Sequence, residues 1–157
     1  MFYYKTALSG IKTYIEELVH GSHKYGRKDV EYTFSHDIEK IKNKQFFINS
    51  KFRLVRWVFQ IRYLIWKQII LPIKLITNKA DILICPDYVA PVFSPCRKIV
   101  VIHDNLFWKY PQNYPSLWRK YFIKLIKLGL SINADIVTTS KYSKNGLKDI
   151  FNNKNIT

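Results

Sequence analysis

A histidine and an aspartate, His103 and Asp104, stand together directly after an apolar run over residues 99–102. An imidazole can donate or accept a hydrogen bond near neutral pH, and a neighbouring carboxylate can orient it. The pair can therefore bind a hydroxyl group and follow charge as it develops at a reacting atom. The alternatives are a histidine that only satisfies its own hydrogen bonds at a strand end and an aspartate that only caps a turn.

Polar residues also follow two other apolar runs. They are Asp87 and Tyr88 after the first run, and Ser140 and Lys141 after the last. The carboxyl ends of parallel strands meet at one edge of a sheet, which is where ligands bind in open α/β sheets. We therefore expect these four residues to line the edge of a cleft near His103. Ser140 also suits the N-cap of the helix that follows it.

Apolar runs alternate with helical periodicity along most of the chain. The predicted order is helix, strand, long helix, strand, strand, helix, strand, helix, with three apolar strands in "ADILICPDY", "RKIVVIHD" and "DIVTTS". The first two do not alternate between apolar and polar residues, so we expect both faces of the sheet to be covered. Strands alternating with helices predict an α/β fold, a Rossmann-like parallel sheet with flanking helices.

Local patterns complete this prediction. Helical spacing in "SGIKTYIEELVHGSHKYG" predicts a helix with Ser9 as its N-cap and Gly21 as its stop. Alternation in "DVEYTFSH" predicts a short strand. The stretch "SLWRKYFIKLIKLGLSINA" predicts a helix whose apolar face contains Leu117, Tyr121, Leu125 and Leu128.

The charge of the chain is strongly positive. The net charge is +15, and residues 40–79 contain ten Lys and Arg but no acidic residue. A long helix is predicted there, bent or ended near Pro72. At 100° per residue its polar stripe consists of Arg53, Arg56, Gln60, Lys67 and Lys74.

Three interpretations of this basic helix stay open. Its apolar face packs on the sheet while the stripe is solvated, or the helix rests on an anionic membrane surface. Nucleic-acid binding is the third and least favoured, because the aromatic residues lie beside the stripe and are not interleaved with it. Charges interrupt every apolar run well before the ~18 residues of a membrane span.

The ordered motifs resemble the amino-terminal domain of glycosyltransferase family 4 enzymes, which have the GT-B fold. The resemblance rests on "ADILICPDYVAP", then "KIVVIHDNLFWKYP", then "ADIVTTSKYSKNGL". In addition, "LSGIKTYIEEL" is similar to the glycine-containing loop and first helix of the family, and "WKQIILP" to the helix before the first of these strands. The prolines and tyrosine of "YPQNYP" follow the His-Asp pair as they do in the family.

The resemblance implies the transfer of a hexose-type sugar from a nucleotide-diphosphate donor to an acceptor hydroxyl, with retention at the anomeric carbon. In the family the amino-terminal domain mainly holds the acceptor, here expected to be a cell-surface glycan or its lipid-linked precursor. The carboxy-terminal domain binds the nucleotide sugar and carries two glutamates spaced eight apart. Residues 1–157 are expected to be a single, incomplete Rossmann-like domain without that second domain, truncated at both ends and inactive alone. Neither a metal nor another cofactor is expected.

The resemblance also implies roles for individual residues. His103 would face the donor sugar from the acceptor side, beside Asp104. Gly10, Ile11 and Lys12 would form the loop near the donor diphosphate, because a glycine lets backbone N–H groups reach phosphate at a helix N-terminus. Family members commonly have a second glycine where this chain has Lys12, so a purely structural loop stays an alternative.

A second function stays open beside the first. The net charge of +15 favours a non-catalytic basic module that binds an anionic membrane surface. The start of the chain lacks the features of a signal peptide, and its two cysteines, Cys85 and Cys96, are expected to be reduced thiols. Both functions therefore predict a cytoplasmic protein, peripheral at the inner face of the membrane.

Overall fold

The computed structural model describes residues 9–35, 53–152 and 154–157. The chain divides into two compact units, Met1–Leu64 and Ile65–Thr157. Helix α1, Ser9–Tyr25, lies in the first unit. Helix α2, Arg53–Ile65, begins in the first unit and ends at the first residue of the second.

The first unit differs from the prediction in two places. Helix α1 continues past Gly21 because a glycine inside a helix costs only about 1 kcal/mol, and Ser9 is already its first residue. The predicted strand after it is wrong, since residues 26–35 form a turn and irregular backbone. Alternation stabilises a strand only when a neighbour pairs with it, and no strand pairs with these described residues.

The helix that follows α2 passes through Pro72 without ending there. A π-helical turn, Trp66–Ile70, leads into α3, Leu71–Thr77, and the Leu71 N–H donates to the Trp66 carbonyl five residues back. Proline has no N–H to donate, and its ring clashes with the carbonyl four residues earlier. The wider π turn directly before Pro72 accommodates both effects.

The second unit contains a parallel open sheet with helices around it, which confirms the predicted α/β class. The strands are β1, Ile82–Cys85, β2, Arg97–Val101, and β3, Ala134–Val137, in the order β1-β2-β3. All three predicted apolar strands are therefore confirmed. Beyond β3, Ile156 forms a parallel bridge with Ile136.

Three helices follow the strands. Helix α4, Leu106–Lys109, and a 3-10 turn, Pro111–Asn113, come directly after β2. Helix α5, Ser116–Gly129, leads back to β3, and helix α6, Lys141–Ile150, follows it. The arrangement is compatible with half of a Rossmann-like fold.

The two faces of the sheet are not equally covered. Val100, Ile102 and Ile136 are fully buried, whereas Ile82 and Ile84 of β1 are 54% and 46% exposed. The prediction that both faces are covered is therefore wrong for β1. Its position explains the difference, because β1 is the edge strand of the described sheet and buries only alternate residues.

Helix α5 buries a different face from the predicted one. Phe122, Ile126 and Gly129 are buried, while Leu117 on the predicted face is 85% exposed. The helix has apolar residues on two faces, and the contacts select between them. The Phe122 ring packs 4.9 Å from the Phe107 ring, and a Cβ at Gly129 would lie 2.7 Å from the Ala90 carbonyl oxygen.

Lys98 is buried inside β2, which the apolar character of the strand did not indicate. It is 1% exposed, and its ammonium group donates to the carbonyls of Pro91, Val92 and Gly129 at 3.0, 3.2 and 2.7 Å. An ammonium group has three donors, so all of them are used. Burial lowers the pKa of Lys98. This side chain joins β2, the loop after β1 and the end of α5.

We expect Lys98→Met to lower the free energy of unfolding by about 2 kcal/mol, because three buried carbonyls lose their donor while the apolar volume is kept. Urea unfolding measures the change. Lys127→Met on the exposed side of α5 is the matched control and should shift the free energy by less than about 0.5 kcal/mol. Equal effects of the two substitutions would contradict the assigned role of Lys98.

Candidate functional site

His103, just after β2, is hydrogen-bonded to the residue that follows β1 and to the helix that follows β3. Its Nε2 lies 3.1 Å from the Pro86 carbonyl oxygen, directly after β1. Its own carbonyl accepts a hydrogen bond from Ser143 Oγ of α6 at 3.1 Å. The predicted meeting of the strand ends at one edge of the sheet is therefore observed around this residue.

The partner of the His103 ring determines its tautomer. A carbonyl oxygen only accepts, so Nε2 donates the hydrogen bond to Pro86. In the neutral ring Nδ1 is then the acceptor nitrogen. The Tyr88 ring meets the imidazole edge-on at 6.1 Å. The half-buried imidazole is held in one orientation by these contacts.

The Asp104 carboxylate serves the backbone of its own turn. Its Oδ1 accepts a hydrogen bond from the Leu106 N–H at 3.1 Å, which is an Asx turn that leads into α4. Of the two predicted alternatives, this geometry corresponds to the cap. Asp104 therefore affects the site by fixing the path of the backbone that follows His103.

Ser140 is the predicted N-cap of α6, and that prediction is confirmed. Its Oγ accepts from the Ser143 N–H at 3.1 Å and donates to Ser143 Oγ at 3.0 Å. Lys141 is the exposed first residue of the helix. The sequence did not single out Ser143, which stands three positions after the N-cap, where the capping box usually has Glu or Gln. Ser140 therefore orients Ser143 toward the His103 carbonyl.

Asp87 lies after β1 as predicted, but it is 5% exposed. The Lys67 ammonium group in the π turn is 2.9 Å from its Oδ1, and both side chains are buried. Burial acts to lower the pKa of Lys67. The charge of Asp87, the nearby Cys85 and the hydrogen bond to Asp87 together outweigh it, so the pKa lies above its ordinary value. The prediction of Lys67 on a solvated stripe is wrong, because the wider π turn and the buried carboxylate direct it inward.

Gln68, the next residue of the π turn, holds the same loop. Its Oε1 accepts from the Val92 N–H at 2.8 Å, and its Nε2 donates to the Ala90 carbonyl at 3.3 Å. Together with Lys67 and Lys98 it fixes the segment that carries Pro86 and Tyr88, both of which contact the His103 ring. The sequence indicated this element only as a helix before a strand, and its side-chain contacts were missed.

Aromatic rings pack behind the histidine. The Phe107 ring lies 5.4 Å from the Tyr88 ring, 4.7 Å from the Tyr114 ring and 5.7 Å from the Trp118 ring. Such edge and tilted contacts each add about 0.5–1.5 kcal/mol beyond burial. The tyrosines and the tryptophan of this cluster thus give the His103 edge a rigid apolar support.

Gly10, Ile11 and Lys12 lie in the first turn of α1, not in a loop before it. They belong to the first compact unit, while His103 and the strand ends belong to the second. Among the described residues, a Cβ at Gly10 would meet no atom within 4 Å beyond its chain neighbours and its own helix backbone, so these residues do not require a glycine by close packing. Their place near a donor diphosphate stays a prediction.

Two observations concern the metal-ligand residue types. Among the described residues no group of three or more His, Cys, Asp or Glu could hold a metal ion. Cys85 and Cys96 are buried free thiols, and burial raises the pKa of Cys85 to about 11. The Cys85 thiol is therefore protonated at neutral pH and a poor nucleophile.

Comparison of the chain with family profiles, with curated proteins and with solved structures gives no match.

Proposed function

We propose that this chain is the acceptor-side domain of a retaining glycosyltransferase of family 4 type, the amino-terminal half of a GT-B fold. The enzyme would move a sugar from a nucleotide-diphosphate donor to a cell-surface glycan or its lipid-linked precursor. The observation that carries the proposal is the contact of His103 with residues that follow β1 and β3. This histidine is fixed at the carboxyl edge of a parallel sheet, which is where ligands usually bind in this architecture.

The proposed chemistry assigns His103 a polar contact with the transferred sugar. The bond between the anomeric carbon and the diphosphate oxygen breaks, and the acceptor oxygen bonds to that carbon while its proton passes to the departing diphosphate. Positive charge develops on the sugar ring as the old bond breaks. A neutral imidazole that accepts a hydrogen bond from a sugar hydroxyl stabilises this charged transition state more than it stabilises the ground state.

The proposal is tested by reconstituting the transfer. The chain is co-expressed with the products of the coding sequences that adjoin its own, and labelled sugar from a panel of nucleotide-diphosphate donors is followed into glycan and lipid extracts. We expect transfer only when this chain and a domain with the paired glutamates are both present. If transfer is equally fast without this chain, the proposed function is wrong.

A row of exposed isoleucines favours a second function, the docking of the chain on an anionic membrane surface. Ile65, Ile69, Ile73 and Ile76 recur every three or four residues and are each between 47% and 57% exposed. Exposed Lys74 and Lys79 accompany this isoleucine row. An apolar face beside basic residues is typical of helices that lie in a membrane interface. No helix in the described part of the chain is long and apolar enough to cross a membrane.

We expect Ile69→Ser combined with Ile73→Ser to weaken binding to vesicles with anionic lipid at least tenfold, because two apolar side chains no longer leave water. Sedimentation with vesicles at low ionic strength measures the binding, and added salt should weaken it. Leu117→Ser, at an 85% exposed leucine of α5, is the control and should bind like the unchanged chain. Equal binding by all three proteins would contradict docking through the isoleucine row.

A further inference from the structure

Helix α5 has a second apolar face that the fold leaves exposed. The side that packs on the rest of the second unit contains the buried residues Phe122 and Ile126. On the other side, Leu117, Tyr121 and Leu128 are 85%, 45% and 43% exposed. Single exposed apolar residues are normal on a protein surface, but a continuous strip of them indicates an interaction site.

The exposed face has the spacing of a coiled-coil seam. Heptad positions are lettered a to g, and positions a and d face the partner helix. With Leu117 at d, Tyr121 is at the following a. Lys124 and Leu128 are then at the next d and a. At 100° per residue these four residues, the α5 seam, lie within about 60° of one another, which is the narrow strip that one facing helix covers.

Lysines line one side of the α5 seam. Lys120 and Lys127 occupy the two g positions, and Lys124 stands within the seam. The opposite side is apolar, with half-buried Trp118 and Leu125 at the e positions. The helix contains no acidic residue, and in the described part of the chain none of the three exposed lysines is in an ion pair. Charges at g positions select the partner, and a lysine at a or d fixes its register.

Two other occupants fit this face less well. A second copy of α5 would place lysines against lysines, and like charges at these positions disfavour pairing. An anionic membrane attracts the lysines as well, but Lys124 interrupts the apolar strip and leaves three apolar side chains to enter the interface. The isoleucine row has four, so it is the better membrane surface of the two.

We propose that the exposed face of α5 docks an acidic amphipathic helix of another protein in the manner of a coiled coil. The two leucines and the tyrosine of the α5 seam leave water on binding, which supplies affinity. Carboxylates of the partner meet the lysines, which supplies specificity. The helix has 14 residues, so the seam is two heptads long and the contact is reversible.

The test is a titration of the full chain into a fluorescently labelled peptide at physiological ionic strength, followed by fluorescence anisotropy. The probe has three heptads with leucine at a and d and glutamate at e and g. A peptide of the same composition in scrambled order has the same charge but no seam. We expect the heptad peptide to bind at least tenfold more tightly than the scrambled one, because attraction by charge alone does not distinguish them.

Apolar variants locate the contact. Leu117→Ser combined with Leu128→Ser should weaken binding of the heptad peptide at least tenfold, because two side chains of the seam no longer leave water. Ile69→Ser combined with Ile73→Ser removes two exposed side chains from the isoleucine row and should bind the peptide like the unchanged chain. Sedimentation with anionic vesicles should give the reverse order of the two double variants.

Charge variants test the specificity. Lys120→Glu combined with Lys127→Glu should lose the glutamate peptide and gain binding of a peptide with lysine at e and g. This gain also shows that the variant is folded. Lys24→Glu combined with Lys148→Glu, at two exposed lysines of other helices, changes the net charge equally and should keep the original preference.

Three results would overturn the proposal. They are equal binding of the heptad and scrambled peptides, equal effects of the two lysine double variants, and loss of vesicle binding in the double leucine variant without selective binding of the peptide. The last result would assign this face to the membrane. None of these measurements depends on sugar transfer, so the proposed function is tested separately.

Discussion

Replacing Asp87 with alanine is expected to lower the free energy of unfolding by about 3–5 kcal/mol. The variant leaves the ammonium group of Lys67 buried without its counter-ion, which now lies 2.9 Å away. A buried uncompensated charge costs far more than a lost surface ion pair. Urea unfolding followed by tryptophan fluorescence measures the change, with the slope of the transition as a check on two-state behaviour.

Two further variants distinguish the ion pair from other effects. Asp81→Ala removes an exposed carboxylate just before the same strand and should change the free energy by less than about 0.5 kcal/mol. The double variant Lys67→Met with Asp87→Leu removes both charges and should recover most of the loss. If Asp87→Ala costs no more than Asp81→Ala, the buried pair does not stabilise the loop after β1.

The pH dependence of stability is a second test of the ion pair between Lys67 and Asp87. The pKa of Lys67 is raised in the folded chain, so protonated Lys67 favours folding. Its contribution is complete at neutral pH and is lost as the pH rises above the ordinary range of lysine and through the raised pKa. The double variant should lose less stability than the unchanged chain over that alkaline range.

Replacing His103 with alanine is expected to lower the turnover of the reconstituted glycosyltransferase at least tenfold. The imidazole is fixed by Pro86 and Tyr88, so its contact with the sugar would need little reorganisation as charge develops. An interaction made mainly in the transition state affects kcat more than KM. Initial rates at several acceptor concentrations separate the two constants.

The control for this prediction is His20→Ala. His20 is an exposed histidine of α1, and its removal should leave the rate within a factor of two. Ser143→Ala addresses positioning, since Ser143 contacts the backbone of His103 and not its ring. It should reduce turnover less than His103→Ala does. Unchanged turnover in His103→Ala would refute the role assigned to this residue.

The sequence predicted the strands and their shared edge because both depend on local information. Short apolar runs, the first ended by Pro86 and the second by His103, are sufficient to place strands. Alternation with helices then makes the sheet parallel, and a parallel sheet brings the strand ends together. The position of His103 followed from these steps.

The contacts that hold the site were not predictable in the same way. In the sequence Lys67 belongs to a polar stripe, whereas in the structure the π turn directs it inward. Lys98 is an exception within an apolar strand in the sequence, whereas in the structure three carbonyls accept hydrogen bonds from it. The partner of Lys67 is 20 positions away in the chain, and the partners of Lys98 are 6, 7 and 31 positions away. The periodicity of a helix or a strand does not indicate such partners.

The buried face of α5 shows the limit of periodicity itself. Leu117 and Phe122 lie on two different faces of the helix that are both apolar in the sequence. Contacts with the Phe107 ring and the Ala90 backbone decide which face is buried. The predicted strand over residues 29–36 failed for a related reason. Alternation is necessary for a half-buried strand, but the partner strand must also be present.

The anomeric configuration of the product decides whether this chain takes part in a retaining sugar transfer. Proton NMR is recorded during the reaction of the reconstituted enzyme with an α-linked nucleotide-diphosphate sugar and its acceptor. We expect an α-linked product that forms only when this chain is present. A β-linked product, or an α-linked product that forms at the same rate without this chain, would contradict this expectation.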